Sequence, residues 1–159
     1  MDILERIKTL IIQLAEKKII IAIAESCTGG YVCHMLTNIS GASDIFERGI
    51  ISYGNQAKID ILKVDHKLIE EKGSVSEEVA KKMANGVRIM SKPCNIGIGI
   101  TGIAGPTGGT LEKPVGLVYI GFSSDNKTYV KKFIFKTNRI DFKNEVLVKV
   151  IELLEDYVE

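Results

Sequence analysis

The sequence contains few of the residues that build disulfide frameworks and metal sites. It has three cysteines and two histidines among 159 residues. Cys27, Cys33 and Cys94 form no C-x-x-C pair, and an odd number of thiols cannot all be paired in disulfides. With His34 and His66 as the only imidazoles, the usual ligand set for a metal is missing as well. We therefore expect no disulfide framework, no metal and no cofactor.

An excess of either charge is also absent. The 21 Lys and Arg residues balance 20 Asp and Glu residues, which leaves a formal net charge of +1. The protein therefore has no long-range field that attracts nucleic acid or an anionic membrane, and we expect a small-molecule partner instead.

Apolar stretches are too short for a membrane span. The longest uninterrupted one runs from Ile19 to Ala24, whereas a span requires roughly 20 residues. Residues 1–18 carry charges throughout and lack the basic start and apolar block of a signal peptide. We expect a cytoplasmic protein.

The chain does have enough apolar residues for one core, since they make up 45% of its positions, and we expect a single domain over residues 1–159. Helices alternate with predicted strands early, and strands follow one another later. This order predicts an α/β fold, a three-layer α/β/α sandwich with a mixed, mostly parallel sheet. The predicted strands are 19–24, 48–53, 95–100, 115–122 and 128–136, and the predicted helices are 3–18, 28–39, 55–63, 74–90 and 139–159.

Three junctions between a predicted strand and the following loop carry unusual polar residues. They read "AESCTGG" at 24–30, "SYGNQAK" at 52–58 and "GITGIAGPTGG" at 99–109. Ligands collect beyond strand ends in helix-covered sheets, where N–H groups at helix starts are free. We expect the three junctions to share one pocket.

The first junction has two interpretations. Ser26 or Thr28 caps the next helix, or one side chain is a nucleophile and the N–H groups near Gly29 and Gly30 stabilise an oxyanion or a phosphate. Glu25 either orients its neighbours or anchors the turn.

The choice of nucleophile depends on a base. If Cys27 and His34 lay on one helix, their backbones would be about 10.5 Å apart along its axis, beyond hydrogen-bond reach. A serine nucleophile would need another base, and Lys58 in the second junction is the candidate. It would have to lose much of its charge through burial or a neighbouring cation, and otherwise it is a solvated helix lysine.

The third junction resembles a dinucleotide fingerprint at Gly97, Gly99 and Gly102, but a strand rather than a helix follows it. A loop with free N–H groups and threonine hydroxyls remains, which suits an anion or a sugar phosphate unless it is a plain connection. Arg139, which opens the last predicted helix, is positioned to reach a phosphate. At the start of the predicted helix 74–90, Ser74 and Glu77 have capping-box spacing.

Four motifs in this order and spacing, "AESCTGG", "FERGIISYGNQAK", "GSVSEEVA" and "TGIAGPTGGTLEKPVGLVYIGF", resemble the C-terminal domain of the competence/damage-inducible protein CinA. That domain is also found as a stand-alone nicotinamide-nucleotide amidohydrolase. The resemblance covers nearly the whole chain. It implies an α/β/α hydrolase that converts the carboxamide of nicotinamide mononucleotide to nicotinate mononucleotide and ammonia, in pyridine nucleotide salvage.

The resemblance also assigns roles to residues. It implies a catalytic set of a nucleophile, its base and a tyrosine that keeps the two in register: Ser26, Lys58 and Tyr53. The predicted substrate-binding residues are Thr28, Gly29, Gly30, Thr101, Gly102, Gly105 and Arg139. Two positions depart from the family pattern, because Gly54 stands where a serine or threonine is usual and Lys143 where a second arginine is common.

Two other functions stay open beside the amidohydrolase. The same loops would serve a non-catalytic nucleotide-binding or sensing module. A phosphate-ester hydrolase is a third possible function. The absence of clustered metal ligands and of a Walker loop counts against it. The sequence leaves open whether the protein forms a homo-oligomer.

Overall fold

The computed structural model describes all residues from Met1 to Glu159. It contains six α-helices, five strands and one 3₁₀ turn at Ala42–Asp44. The helices are α1 (Ile3–Glu16), α2 (Tyr31–Thr37), α3 (Asn55–Asp60), α4 (His66–Lys72), α5 (Glu77–Met90) and α6 (Arg139–Val158). The strands are β1 (Ile21–Glu25), β2 (Phe46–Ile51), β3 (Ile96–Gly102), β4 (Leu117–Ser123) and β5 (Thr128–Ile134).

The five strands form one mixed sheet in the order β2-β1-β3-β4-β5. β1 pairs in parallel with β2 and β3, whereas β4 pairs antiparallel with β3 and β5. Only β4 therefore runs against the other four strands. The predicted α/β class and mixed sheet are confirmed, and "mostly parallel" describes the strand directions rather than the pairs, of which two are parallel and two antiparallel.

Helices cover both faces of the sheet, as predicted. In β1, Ile21 and Ile23 belong to the larger apolar cluster with residues of α1, α2 and α6. The alternating residues Ala22 and Ala24 belong to a smaller cluster with residues of α5. Successive side chains of a strand point to opposite faces, so β1 is buried on both sides and separates two helical layers.

Two glycines of the "GIGI" run let α5 pack directly on the sheet. A Cβ at Gly97 would lie 2.0 Å from the carbonyl oxygen of Ala84, and a Cβ at Gly99 would lie 2.6 Å from that of Ala80. Contacts this short do not occur between real Cβ and oxygen atoms, so only glycine fits here. These glycines serve helix packing, which agrees with the rejection of a dinucleotide fingerprint.

Some element boundaries differ from the prediction. Helix α5 begins after Ser76, whose hydroxyl accepts a hydrogen bond from the amide of Val79 (3.3 Å), so Ser74 is not its cap. Helix α2 starts only at Tyr31, because the residues before it form a turn. Helix α4 forms in a segment for which the pattern predicts no element. None of the helices has the length and apolar character that crossing a bilayer requires.

Candidate active site

The carboxyl ends of β1, β2 and β3 meet at one edge of the sheet. Ser26 follows β1 and its amide donates to the carbonyl of Ile100 in β3 (3.0 Å). Ser52 follows β2 and its amide donates to the carbonyl of Glu25 in β1 (2.8 Å). These two hydrogen bonds place the loops after neighbouring strands side by side, as the parallel order requires.

A cavity of about 230 Å³ opens at this edge. All three predicted junctions contribute to its wall, as we expect from their places after neighbouring strands. The loop before α5 and the start of α6 complete it. Its lining residues are Ser26, Cys27, Tyr53, Lys58, Ser74, Val75, Thr101, Gly102, Ile103, Ala104, Gly105, Thr107, Gly108 and Arg139.

Lys58 is the most unusual residue of the cavity, because its side chain is only 1% exposed. It lies on α3, and a long helical side chain points back toward the helix N-terminus. The ammonium nitrogen Nζ consequently reaches the segment before α3, where it donates to the carbonyl oxygens of Ser52 (2.7 Å) and Tyr53 (3.1 Å). The third neighbour of Nζ is the hydroxyl oxygen Oγ of Ser26, at 2.9 Å.

Burial lowers the pKa of Lys58 from 10.5 to about 8. Desolvation disfavours the charged amine, and no salt bridge holds the charge in place. A neutral amine has two hydrogens and one lone pair. The two carbonyl oxygens accept the hydrogens, which leaves the lone pair for the hydroxyl of Ser26. Lys58 is thus arranged as a base for Ser26.

Cys27 does not have the environment of a nucleophile. It is 6% exposed, and burial raises the pKa of its thiol from 9.0 to about 12. His34 lies on the exposed side of α2, where its ring nitrogen Nε2 contacts the side-chain amide of Asn38 at 3.2 Å. The Cys27–His34 pair that the sequence raises as an alternative is therefore not assembled.

Glu25, which is completely buried, stabilises the turn after Ser26 through hydrogen bonds. Its carboxylate accepts hydrogen bonds from the hydroxyl of Thr28 (2.5 Å) and from the amide of Gly30 (3.1 Å). It also accepts from the amides of Val32 (3.2 Å) and Cys33 (2.8 Å). Of the two roles that the sequence leaves open for Glu25, the anchoring one agrees with this geometry.

The predicted ligand groups of this turn are not the ones that remain free. The Thr28 side chain is buried, and its hydroxyl donates to Glu25. The amide of Gly29 donates to the carbonyl of Ser26 (3.1 Å), and the amide of Gly30 donates to Glu25. None of these three residues lines the cavity. The amides of Cys27 and Thr28 donate to no protein acceptor, and of these two residues Cys27 lines the cavity, so an oxyanion position at this turn shifts toward the Cys27 amide.

Tyr53 contributes its main chain rather than its side chain. The tyrosine is 60% exposed, and its hydroxyl has no hydrogen-bond partner in the protein. Its carbonyl oxygen, however, lies 3.1 Å from Nζ of Lys58 and 3.5 Å from Oγ of Ser26. The register of base and nucleophile thus depends on a backbone atom, which sequence motifs do not reveal.

The third junction forms the opposite wall. The Thr101 hydroxyl donates to the carbonyl of Ser74 (2.7 Å), so it fixes the loop before α5 instead of standing free. Gly102 and Gly105 line the cavity as predicted. The carbonyl of Gly105 accepts a hydrogen bond from Nε of Arg139 (2.8 Å), which leaves the outer nitrogens of the guanidinium available.

Sequence reasoning missed two contributors to the site. The carbonyl of Ser52 accepts a hydrogen bond from Lys58. Ser74 lines the cavity, and its carbonyl accepts the hydrogen bond from the Thr101 hydroxyl. Ser52 lies inside a quoted motif beside Tyr53, whereas Ser74 was singled out only as a helix cap. Lys143 lies outside the cavity, and its amine is 3.8 Å from where a Cβ of Gly29 would stand.

No group of three or more potential metal ligands is present in the structure.

Comparisons with known proteins agree with this architecture. A family model described as the CinA C-terminal domain matches residues 4–158. A competence-damage inducible protein of Thermoanaerobacter pseudethanolicus is 42% identical over 155 residues, which cover 97% of this chain and 37% of that protein. A relative of the same name from Clostridium perfringens (strain SM101 / Type A) is 46% identical over 146 residues, 92% of this chain and 35% of that protein. The chain thus spans little more than a third of these curated relatives.

Solved structures cover the chain from end to end. The competence/damage inducible protein CihA from Agrobacterium tumefaciens is 33% identical with a TM-score of 0.93, covering 100% of this chain and 97% of that one. A competence or damage-inducible protein from Enterobacter asburiae is 25% identical with a TM-score of 0.94, covering 100% and 99%. With the family model matched over nearly its whole length, the chain belongs to the CinA C-terminal domain family.

Proposed function

We propose that the protein is a serine amidohydrolase that converts nicotinamide mononucleotide to nicotinate mononucleotide and ammonia. The observation that carries this proposal is the 2.9 Å contact between Oγ of Ser26 and Nζ of the buried Lys58. The family resemblance of the motifs supplies the substrate. The surrounding geometry supplies a means of cleaving a carboxamide.

In the first half of the reaction, Lys58 in its neutral form takes the proton of Ser26 as Oγ attacks the carboxamide carbon. The carbonyl oxygen becomes an anion, which the free amide of Cys27 is suited to stabilise. The C–N bond then breaks. The proton on Lys58 passes to the leaving nitrogen, which departs as ammonia and leaves an ester on Ser26.

In the second half, water enters the position that ammonia has left. Lys58, neutral again, takes a proton from the water as its oxygen attacks the ester carbon. The bond to Oγ breaks, the proton returns to Ser26 and nicotinate mononucleotide is released. Both halves use the same base.

The rest of the nucleotide needs a partner for its phosphate. Arg139 and the glycine loop after Thr101 line the same cavity, and the outer nitrogens of Arg139 are free to pair with phosphate oxygens. Because Lys143 lies outside the cavity, we assign the phosphate to Arg139 alone.

The test is ammonia release from nicotinamide mononucleotide. We expect the unmodified protein to release one ammonia per nicotinate mononucleotide and Ser26→Ala to release none. Ser91→Ala is the matched control, because Ser91 is also buried but its hydroxyl has no partner and lies outside the cavity. Thermal stabilisation by the nucleotide without any turnover would contradict the proposal and support the nucleotide-sensing module.

A further inference from the structure

We propose that Glu25 is a positioning residue that holds the turn after the nucleophile in the shape that leaves the amide of Cys27 free at the cavity. This inference rests on the proposed serine chemistry, since it concerns the site of the developing oxyanion. Glu25 lines no part of the cavity and touches neither Ser26 Oγ nor Lys58 Nζ. It acts through the backbone of the turn.

The sequence of the turn provides no other anchor. Gly30 precedes α2 with a φ of 94° and has no side chain with which to cap the helix. The amides that a capping side chain would satisfy donate instead to Glu25, from the last position of β1. One buried carboxylate thereby ties the sheet to the first turn of α2.

The bonds to Glu25 determine which amides remain free. Gly30 is committed to Glu25, and Gly29 to the carbonyl of Ser26. Cys27 and Thr28 are left as the two amides of the turn without an acceptor, directly after the nucleophile. The Thr28 hydroxyl adds a fourth bond to the carboxylate and fixes the residue that carries one of these amides.

Substitution by glutamine tests the carboxylate. A glutamine of the same size replaces one carboxylate oxygen by an NH₂ group, which cannot accept a hydrogen bond. Oε2 accepts from Thr28, Gly30 and Val32 and Oε1 from Cys33, so in either orientation of the glutamine amide at least one of these bonds is lost. We expect the turn to shift and the oxyanion site to lose the amide of Cys27 as its donor.

The measurement is the rate at which p-nitrophenyl acetate acylates Ser26. In this step a bond forms between Oγ and the acetyl carbon, the bond to p-nitrophenolate breaks and the serine proton passes to Lys58. Loss of an oxyanion donor costs about 10²–10³-fold in rate, and we expect a loss of about that size in E25Q. The midpoint of the pH profile should stay near 8, because Lys58 is unchanged.

Thr28 provides a milder pair of variants in case E25Q fails to fold. T28V keeps the shape of the side chain but removes the donor to Glu25, whereas T28S keeps the donor. We expect slower acylation in T28V and recovery in T28S. Asp65→Ala is the matched control, because Asp65 also caps a helix, α4, but lies outside the cavity. It should lower the melting temperature without changing the acylation rate.

Three results would overturn the role of Glu25: a folded E25Q with the rate of the unmodified protein, equal rates in T28V and T28S, or an E25Q whose pH midpoint moves while its plateau rate is kept. Failure of the proposed function appears differently. A protein that is acylated on Ser26 but releases no ammonia from nicotinamide mononucleotide has another substrate, and the acylation rates still decide the role of Glu25. A protein whose Ser26 is never acylated overturns both proposals.

Discussion

At the scale of the residue, the proposed chemistry depends on how the surroundings of Lys58 lower the pKa of its amine. Nζ of Lys58 has three neighbours, and all three are oxygen atoms that carry no full charge. A carboxylate in their place would stabilise the ammonium form and raise the pKa of the amine. The neighbours instead orient the amine without pairing its charge.

The first prediction concerns the pH dependence of this base. Since the neutral amine is active, the acylation rate should rise with pH through about 8 and then level off. Lys58→Met keeps much of the bulk but removes the proton acceptor, and we expect a loss of roughly 10²–10⁴-fold with the rising limb gone. Rates of acylation of Ser26 across pH measure both effects.

Lys58→Arg is the second arm of that experiment. A guanidinium stays protonated at every pH of interest, so arginine should be no better than methionine. A methionine variant with full activity and an unchanged pH profile would remove Lys58 from the mechanism.

The same lowered pKa predicts how stability depends on pH. The unfolded chain binds a proton at Lys58 up to about 10.5, whereas the folded protein releases it above about 8. Unfolding therefore takes up a proton at Lys58 between these values, and this residue contributes a rise of about 3 kcal/mol in the free energy of unfolding across the window. The three cysteines contribute in the opposite direction above pH 9, because burial raises the pKa values of their thiols. The thiols are the same in both proteins, so urea unfolding at several pH values should give a more positive slope of the free energy of unfolding against pH in the unmodified protein than in Lys58→Met. Equal slopes in the two proteins would contradict it.

A third prediction separates the two neighbours in "ESCT". Cys27→Ala should keep most of the activity, and thiol reagents should react slowly, because burial raises the pKa of this thiol to about 12. The readouts are ammonia release and the rate of thiol labelling. Loss of activity on substitution, together with rapid inactivation by the reagent, would assign the nucleophile to Cys27.

What the sequence could predict differs between side chains and backbone. Ser26, Lys58 and Arg139 were predicted to lie at one site, and the structure brings them to one cavity. The hydroxyls of Thr28 and Thr101 were predicted as ligand groups but bond to protein acceptors. A hydroxyl in a motif looks the same in either role, since its partner is chosen by the fold.

At the scale of the element, strand periodicity and loop composition were enough to locate the five strands. The short helices were harder, because α4 has seven residues and few of its positions face the core. Residues 28–30 of the turn were predicted as the beginning of α2, since nothing in the local sequence shows that Glu25 caps the helix from the strand. Long-range capping of this kind is invisible to local patterns.

The contact between β3 and α5 gives the fourth prediction. A Cβ at Gly99 would lie 2.6 Å from the carbonyl of Ala80, so Gly99→Ala must push α5 away from the sheet. Overpacking of a close contact costs about 1–3 kcal/mol, and we expect a loss of that size in the free energy of unfolding.

Gly54→Ser is the matched control for this substitution. A Cβ at Gly54 meets no atom within 4 Å, and the residue occupies the N-cap of α3 with an ordinary φ of −85°. Serine is a good N-cap residue, so stability should stay the same or increase. Urea unfolding measures the free energy of unfolding of both variants. If Gly99→Ala is as stable as the unmodified protein, α5 does not pack on the sheet as closely as the glycine contacts require.

At the scale of the whole molecule, the site gathers residues from both ends of the chain. Ser26 directly follows the first strand and Arg139 begins the last helix, yet both line one cavity. The parallel strands β1, β2 and β3 bring their loops to one edge, and the return of the chain through β4 and β5 places the N-terminus of α6 against the glycine loop. Periodicity could predict these elements, but it could not predict that their residues line one cavity, because that depends on the order of the strands in the sheet.

The last prediction uses this division of the cavity between chemistry and phosphate binding. Arg139→Ala removes the guanidinium that we assign to the phosphate and leaves Ser26 and Lys58 in place. We expect KM for nicotinamide mononucleotide to rise about 10-fold or more with kcat little changed, because the interaction is equally strong in the bound substrate and in the transition state. Nicotinamide riboside, which lacks the phosphate, is the matched substrate, and its kcat/KM should be the same in both proteins. An equal loss for the two substrates would mean that Arg139 supports the glycine loop through its bond to Gly105 rather than binding the phosphate.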